Sequence, residues 1–286
     1  MPTAYNGEIG LAYEVDPTAG EPILLLCGGF VQMIHWPEEL LGGLRERGFQ
    51  LARFDNRDNG RSTHCAEGPA YSLRDMAEDA VAVLDALGWF SAHILGISLG
   101  GMIGQVLAVH HPERVRSLCS VSSAPGAGLR ISRPKLGKMF RILAMSAKKP
   151  KTTEGRIEHS IALYRLLTTP RYPVDEQRLR ALFAEGEPED PAGGMRNLAA
   201  MKASGDRRAE LAGITAPTLV VHGDKDPMQS PKAGRATAEA IPGARLRLFP
   251  DVGHAFPAQL WPQVLDELDD LLGRAPHGSA EPTTGA

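Results

Sequence analysis

The chain is expected to fold as an α/β protein, with a mostly parallel central sheet flanked by helices and a helical insertion over it. Three observations predict this. Short apolar runs such as Pro22-Ile23-Leu24-Leu25-Leu26-Cys27 alternate with amphipathic helical patterns up to residue 124 and again from residue 212. One junction, Ala92–Gln105, passes from apolar run to helix through Gly96-Ile97-Ser98-Leu99-Gly100. Between Pro125 and Ala212 there is no strand pattern, only helical stretches broken by Pro and Gly.

Taken in order, Ile9–Val15 alternates loosely and is expected as a strand at a sheet edge, and Asp16–Gly20 is turn chemistry. The run at 22–27 ends in Gly28-Gly29-Phe30, where backbone can approach a ligand closely. After Trp36-Pro37 a helix carries Leu40, Leu41 and Leu44 and closes at Gly48; Phe49–Phe54 is the next strand. Ser72 is placed to cap a helix bearing Met76, Ala80, Val83, Leu84 and Leu87, ended by Gly88. The strand before Ser98, a helix to Val109 and a strand at Val115–Val121 follow. Within the insertion, helices are expected at Leu136–Met145, Thr153–Leu167, Asp175–Phe183 and Pro191–Ser204. Ala216–Gly223 and Ala244–Phe249 resume the strand pattern, and Pro262–Leu272 closes the domain with Val264, Leu265, Leu268, Leu271 and Leu272 at helical spacing. The expected division is a core of residues 1–124 and 212–273, a helical lid at 125–211, and a disordered tail at 274–286.

Of 286 residues 43% are hydrophobic and 23% charged, ordinary proportions for a globular domain of this size. A net charge of -3 and a pI near 6.3 offer no attraction to nucleic acid or an anionic membrane, so neither is expected as a partner. With no basic-then-apolar leader pattern and no bilayer-length apolar run, a cytoplasmic location is expected. Cys27, Cys65 and Cys119 are scattered and read as free thiols; no cofactor and no metal are expected. Asp55, Arg57, Asp58 and Arg61 lack P-loop spacing and read as a salt-bridged structural loop. His110-His111 reads as an exposed helix end, because adjacent helical positions do not share a face.

Gly96-Ile97-Ser98-Leu99-Gly100 fits the G-x-S-x-G turn that presents a nucleophilic serine between strand and helix. A serine hydroxyl needs a base, and the base needs a carboxylate to orient it. His254 follows the last strand beside Gly253, which lets the loop turn, and is the expected base. The acid lies in Gly223-Asp224-Lys225-Asp226-Pro227. Asp226, farther from the strand end, is preferred; Asp224 is the alternative and otherwise braces the turn. Asp251 is assigned to the turn before His254. Both loops leave the carboxyl ends of strands, where open α/β sheets place their sites. A developing oxyanion needs two backbone donors; Leu99 supplies one, and Gly29, with Phe30 as the alternative, the other.

These motifs resemble the α/β-hydrolase superfamily from about Tyr5 to Leu272. Within it, Leu24–Gly29 with Trp36-Pro37 downstream, Arg53–Thr63 and Gly253-His254 resemble the branch containing aclacinomycin methylesterase. The resemblance implies a Ser98–Asp226–His254 triad, an oxyanion hole from Gly29 and Leu99, and a lid enclosing the acyl or alcohol group. It also implies hydrolysis of a small-molecule carboxylic ester through an acyl-enzyme, such as a methyl or other small-alcohol ester of a bulky aromatic or polyketide-like acid. The chain departs from many members in having Cys27-Gly28 where they have His-Gly. The same triad also serves C–C bond hydrolases, cofactor-free perhydrolases and polyketide-tailoring enzymes, and a catalytically silent ligand-binding relative is the alternative of another class. Met139, Phe140, Met145, Tyr164, Phe183, Met195 and Met201 either line an adaptable pocket or form the insertion's own packing.

Overall fold

The computed structural model describes residues 1–65, 71–126, 137, 144, 145, 150, 152–188 and 190–274. Its frame is an eight-stranded sheet of β1 (Thr3–Asn6), β2 (Ile9–Val15), β3 (Glu21–Leu26), β4 (Phe49–Phe54), β5 (Ala92–Ile97), β6 (Val115–Val121), β7 (Thr218–Gly223) and β8 (Arg245–Phe249). The strand order is β1-β2-β4-β3-β5-β6-β7-β8. β2 pairs antiparallel with β1 and β4, and every other pairing is parallel. The helices are α1 (Glu38–Glu46), α2 (Leu73–Ala86), α3 (Leu99–His110), α4 (Thr153–Leu167), α5 (Glu176–Glu185), α6 (Pro191–Ala203), α7 (Arg208–Leu211), α8 (Pro231–Ala240) and α9 (Trp261–Leu271).

A continuous apolar strand is stable here because both of its faces are covered. Along β3, Leu24 and Leu26 enter one core with Met76, Met102 and Ala233, whereas Ile23 and Leu25 enter the other with Leu40, Trp261 and Leu265. Helices α2, α3 and α8 thus cover one face of the sheet, and α1 and α9 the other. Ser72 caps α2 as its spacing predicts, its hydroxyl accepting the Asp75 N–H.

Two differences from the sequence expectation have local causes. β2 is not the edge strand; β1 is, folding back at Gly7 (φ 59°). β1 buries only Ala4, so no apolar pattern marks it. Helix α8 was not anticipated either, because it meets the sheet through the small residues Ala233, Gly234 and Thr237.

The chain leaves the sheet after β6 and returns at one point. Gly126 bridges Asp206, and the Arg207 N–H donates to Pro125 O at 2.9 Å. The buried Arg207 guanidinium donates to Gln105 Oε1 (2.9 Å) and Ala124 O (3.1 Å), tying the return to α3 and the end of β6. Between these points α4, α5 and α6 lie within two residues of the expected helices, each capped by the side chain of Thr152, Asp175 or Asp190. The expected helix at Leu136–Met145, apart from residues 137, 144 and 145, falls outside the described residues, as do Met139, Phe140 and 275–286.

Polar contacts fasten these helices to the core. Gln32 exchanges two hydrogen bonds with the Glu187 backbone, Arg196 pairs with Asp58, and Arg178 with Glu39. His35 meets the Phe183 ring edge-on at 5.3 Å. Its Nδ1 accepts the Gln32 N–H, leaving the proton on Nε2, which is buried with no hydrogen-bond partner among the described residues. Burial pushes this imidazole down from 6.5 to about 4. Between those values the unfolded chain binds a proton that the fold refuses, so stability is expected to fall as pH drops from 6.5 to 4. His35→Asn keeps the acceptor but cannot be protonated. Urea midpoints across this range should fall less steeply for the variant; an unchanged slope would exclude His35 as a source. Among the described residues, no helix is long and apolar enough to cross a membrane.

Candidate active site

β5 ends at Ile97 and α3 begins at Leu99, so Ser98 alone makes the turn. It sits at φ 54°, ψ −115°, which a residue with a side chain adopts only under constraint. Its N–H donates to Val121 O (2.8 Å), and its carbonyl accepts from Met102 N–H (3.2 Å) and Ser123 Oγ (2.9 Å). The flanking glycines serve close approach. A Cβ on Gly96 would lie 2.3 Å from Gly100 O, and one on Gly100 2.0 Å from Leu26 O. The first turn of α3 is thereby drawn onto the sheet with the Ser98 side chain half-buried at its tip.

Two loops from distant parts of the chain close on this hydroxyl. His254 Nε2 is 3.1 Å from Ser98 Oγ, and His254 Nδ1 is 2.7 Å from Asp226 Oδ2. With Nδ1 protonated toward the carboxylate, Nε2 is left to accept from the serine. The other oxygen of the buried Asp226 accepts the N–H groups of Met228 (2.7 Å) and Gln229 (2.9 Å). Asp224 instead accepts the Asp251 N–H at 2.7 Å, bracing the turn that carries His254. Asp251 itself makes that turn at φ 59°. Gly253 has a different reason from the expected one: it has no positive φ, but a Cβ there would lie 2.2 Å from Leu167 O.

His222 was not anticipated. It lies in β7 with Nε2 2.9 Å from Gln229 O and 3.5 Å from Asp226 Oδ2. Its Nδ1 is buried with no hydrogen-bond partner among the described residues, and burial holds the imidazole below its ordinary value against the opposing pull of Asp226. A neutral His222 therefore offers the acid loop a donor. The four-residue spacing to Asp226 was the available signal, masked by the apolar run around it.

The Leu99 N–H opens α3 and has no carbonyl one turn earlier in that helix to bond. Gly29 faces this residue, its Cβ position 3.8 Å from Leu99 Cδ2. Phe30 is held at φ 61°, with its ring against Gly194, where a Cβ would meet it at 1.7 Å. The polar loop after β4 supports this segment. Asn56 Nδ2 donates to Cys27 O (3.0 Å), and Asp55 accepts the N–H groups of Met33 (2.7 Å) and Arg61 (3.0 Å). Arg57 pairs with Asp79, Asp58 with Arg196 and Arg61 with Glu187. The Arg57–Asp79 pair is buried, and removing one partner from such a pair costs about 3–5 kcal/mol.

Among the described residues, Asp58, His64 and Asp190 are spaced to share a metal ion. Arg196 already supplies a cation there, reaching Asp58 at 2.6 Å and Asp190 at 3.2 Å. All three cysteines are unpaired, and burial raises the Cys27 and Cys119 thiols, keeping them protonated. His110 and His111 contact different partners, Arg74 and Glu78. In the insertion Met201 packs on the core and Phe183 on His35, while Met195 is 54% exposed.

Comparison with known proteins agrees with this architecture. The family model for the alpha/beta hydrolase fold matches residues 22–258. Rhodomycin D methylesterase of Streptomyces peucetius is 33% identical over 285 residues, covering 90% of this chain and 93% of its own. Pimeloyl-[acyl-carrier protein] methyl ester esterase of Nitrosomonas europaea is 30% identical over 255 residues, covering 86% of this chain and 95% of its own. The crystal structure of a hydrolase from Pseudomonas aeruginosa superposes with a TM-score of 0.72 at 30% identity, covering 93% of this chain and 95% of that one. The resemblance carried by the motifs thus extends over nearly the whole sequence, and the chain belongs to the α/β-hydrolase family.

Proposed function

We propose that this protein is a serine-dependent carboxylic ester hydrolase working through an acyl-enzyme. The observation that carries the reading is the unbroken relay from Ser98 Oγ to His254 Nε2 (3.1 Å) and from Nδ1 to Asp226 Oδ2 (2.7 Å). Ser98 Oγ attacks the ester carbonyl carbon while its proton passes to His254 Nε2. The carbonyl oxygen takes up negative charge facing the N–H groups of Leu99 and Gly29. As the carbon–oxygen bond breaks, His254 returns the proton to the departing alcohol oxygen. Water then repeats both steps on the acyl-enzyme, releasing the acid and restoring Ser98. Asp226 keeps the imidazole oriented and stabilises its charged form.

Helices α4, α5 and α6 of the insertion are assigned the part of a lid over the site. Similarity to methylesterases favours a methyl or other small-alcohol ester of a bulky aromatic or polyketide-like acid. Phe30, 44% exposed, and Met195, next in the chain to Gly194, present apolar surface suited to such an acid. Turnover of p-nitrophenyl acyl esters is expected, with an alkyl phosphonate labelling Ser98 alone. Absence of turnover across a panel graded by acyl length and alcohol bulk, or labelling elsewhere, would refute the reading.

A further inference from the structure

The loop bearing His254 is held from two sides, and one of them is the end of an insertion helix. On the sheet side, Gly223 lets the loop close in: a Cβ there would lie 2.4 Å from Val252 O and 2.6 Å from Gly253 O. Lys225 N–H donates to Val252 O at 2.9 Å, and Asp224 accepts from Asp251 N–H. On the opposite side α4 stops at Leu167, because Thr168 is extended (φ −104°, ψ −177°). The Leu167 carbonyl therefore has no partner in its own helix. It accepts instead from the N–H groups of His254 (2.7 Å) and Ala255 (3.1 Å). Two residues on, Thr169 Oγ1 donates to Asp251 O at 2.5 Å. Gly253 is glycine at the point where this carbonyl arrives, and any side chain there would push the two segments apart.

We infer that the Leu167–Thr169 segment is a positioning element for the base, with Thr169 as a positioning residue that acts through the Asp251 carbonyl on the placement of His254. This rests on the serine-hydrolase reading and deepens it: the same helix end that terminates α4 sets where the imidazole stands relative to Ser98. Displacing the segment pulls on the His254 backbone directly, whereas the acid loop holds only the far side of the turn.

Thr169→Val removes the hydroxyl at nearly constant shape, and Thr169→Ser restores it. With a p-nitrophenyl ester, Thr169→Val is expected to lower kcat about tenfold with little change in KM, since small misplacements of reacting groups carry penalties of this order or larger. Phosphonate labelling of Ser98 should slow in parallel, and Thr169→Ser should recover most of both losses. Gly253→Ala, which drives the Leu167 carbonyl away, should cost about a hundredfold by the same logic. All rates are taken well below each variant's thermal midpoint, so that an unfolding defect is not counted as a misplaced base. Wild-type kcat in Thr169→Val, or a Thr169→Ser variant as slow as the valine, would overturn the positioning role. Turnover that survives Ser98→Ala would overturn the hydrolase reading itself.

Discussion

Ser98→Ala is expected to abolish ester turnover, lowering kcat by about 10⁴-fold or more, the range seen when a nucleophile of this kind is removed. Folding should survive, because the contacts that hold the turn are made by the backbone. The N–H of residue 98 still reaches Val121 O, and its carbonyl still accepts from Met102 N–H and Ser123 Oγ. Only the hydroxyl facing His254 is lost. The check is kcat on a p-nitrophenyl ester beside circular dichroism and the thermal midpoint. A folded variant retaining a tenth of wild-type activity would exclude Ser98 as the nucleophile.

The second large effect separates two aspartates that lie two residues apart. Asp226→Asn should retain the acceptor for Met228 and Gln229 but turn an NH₂ group toward His254 Nδ1. Nδ1 must then accept, which moves the ring proton to Nε2 and removes the lone pair that would take the serine's proton. A loss in kcat of about 10⁴-fold is expected for this tautomer error. Asp224→Asn keeps an oxygen for the Asp251 N–H and should stay within about threefold of wild type, because this part-buried hydrogen bond is preserved and only its charge assistance is lost. Inactivity of the Asp224 variant with an active Asp226 variant would reverse the assignment of the acid.

Strands β3, β5 and β7 are legible in the sequence because a strand covered on both faces reads as a nearly continuous apolar run, whereas β4 and β6 interrupt that run with polar residues such as Arg53 and Arg116. The turn at Ser98 is legible because glycines at 96 and 100 answer contacts made within that one strand–turn–helix unit and with the adjacent β3. β1 and α8 are not, since each buries small residues whose role depends on what they pack against. The preference for Asp226 over Asp224 also needed more than spacing, for both occupy the same loop. What separates them is the direction in which each carboxylate points once β7 and β8 lie side by side.

Local rules therefore determined the α/β class, the serine turn and the candidate base, and narrowed the acid to one loop, because each depends on residues near one another along the chain. The tertiary structure alone decided the 3.1 Å and 2.7 Å relay, the place of His222 beside Asp226, and the meeting of Gly253 with the end of α4. Those contacts join segments as much as 156 residues apart. Neither partner carries a local pattern that encodes the other, so only packing of the whole sheet and its helices brings them together.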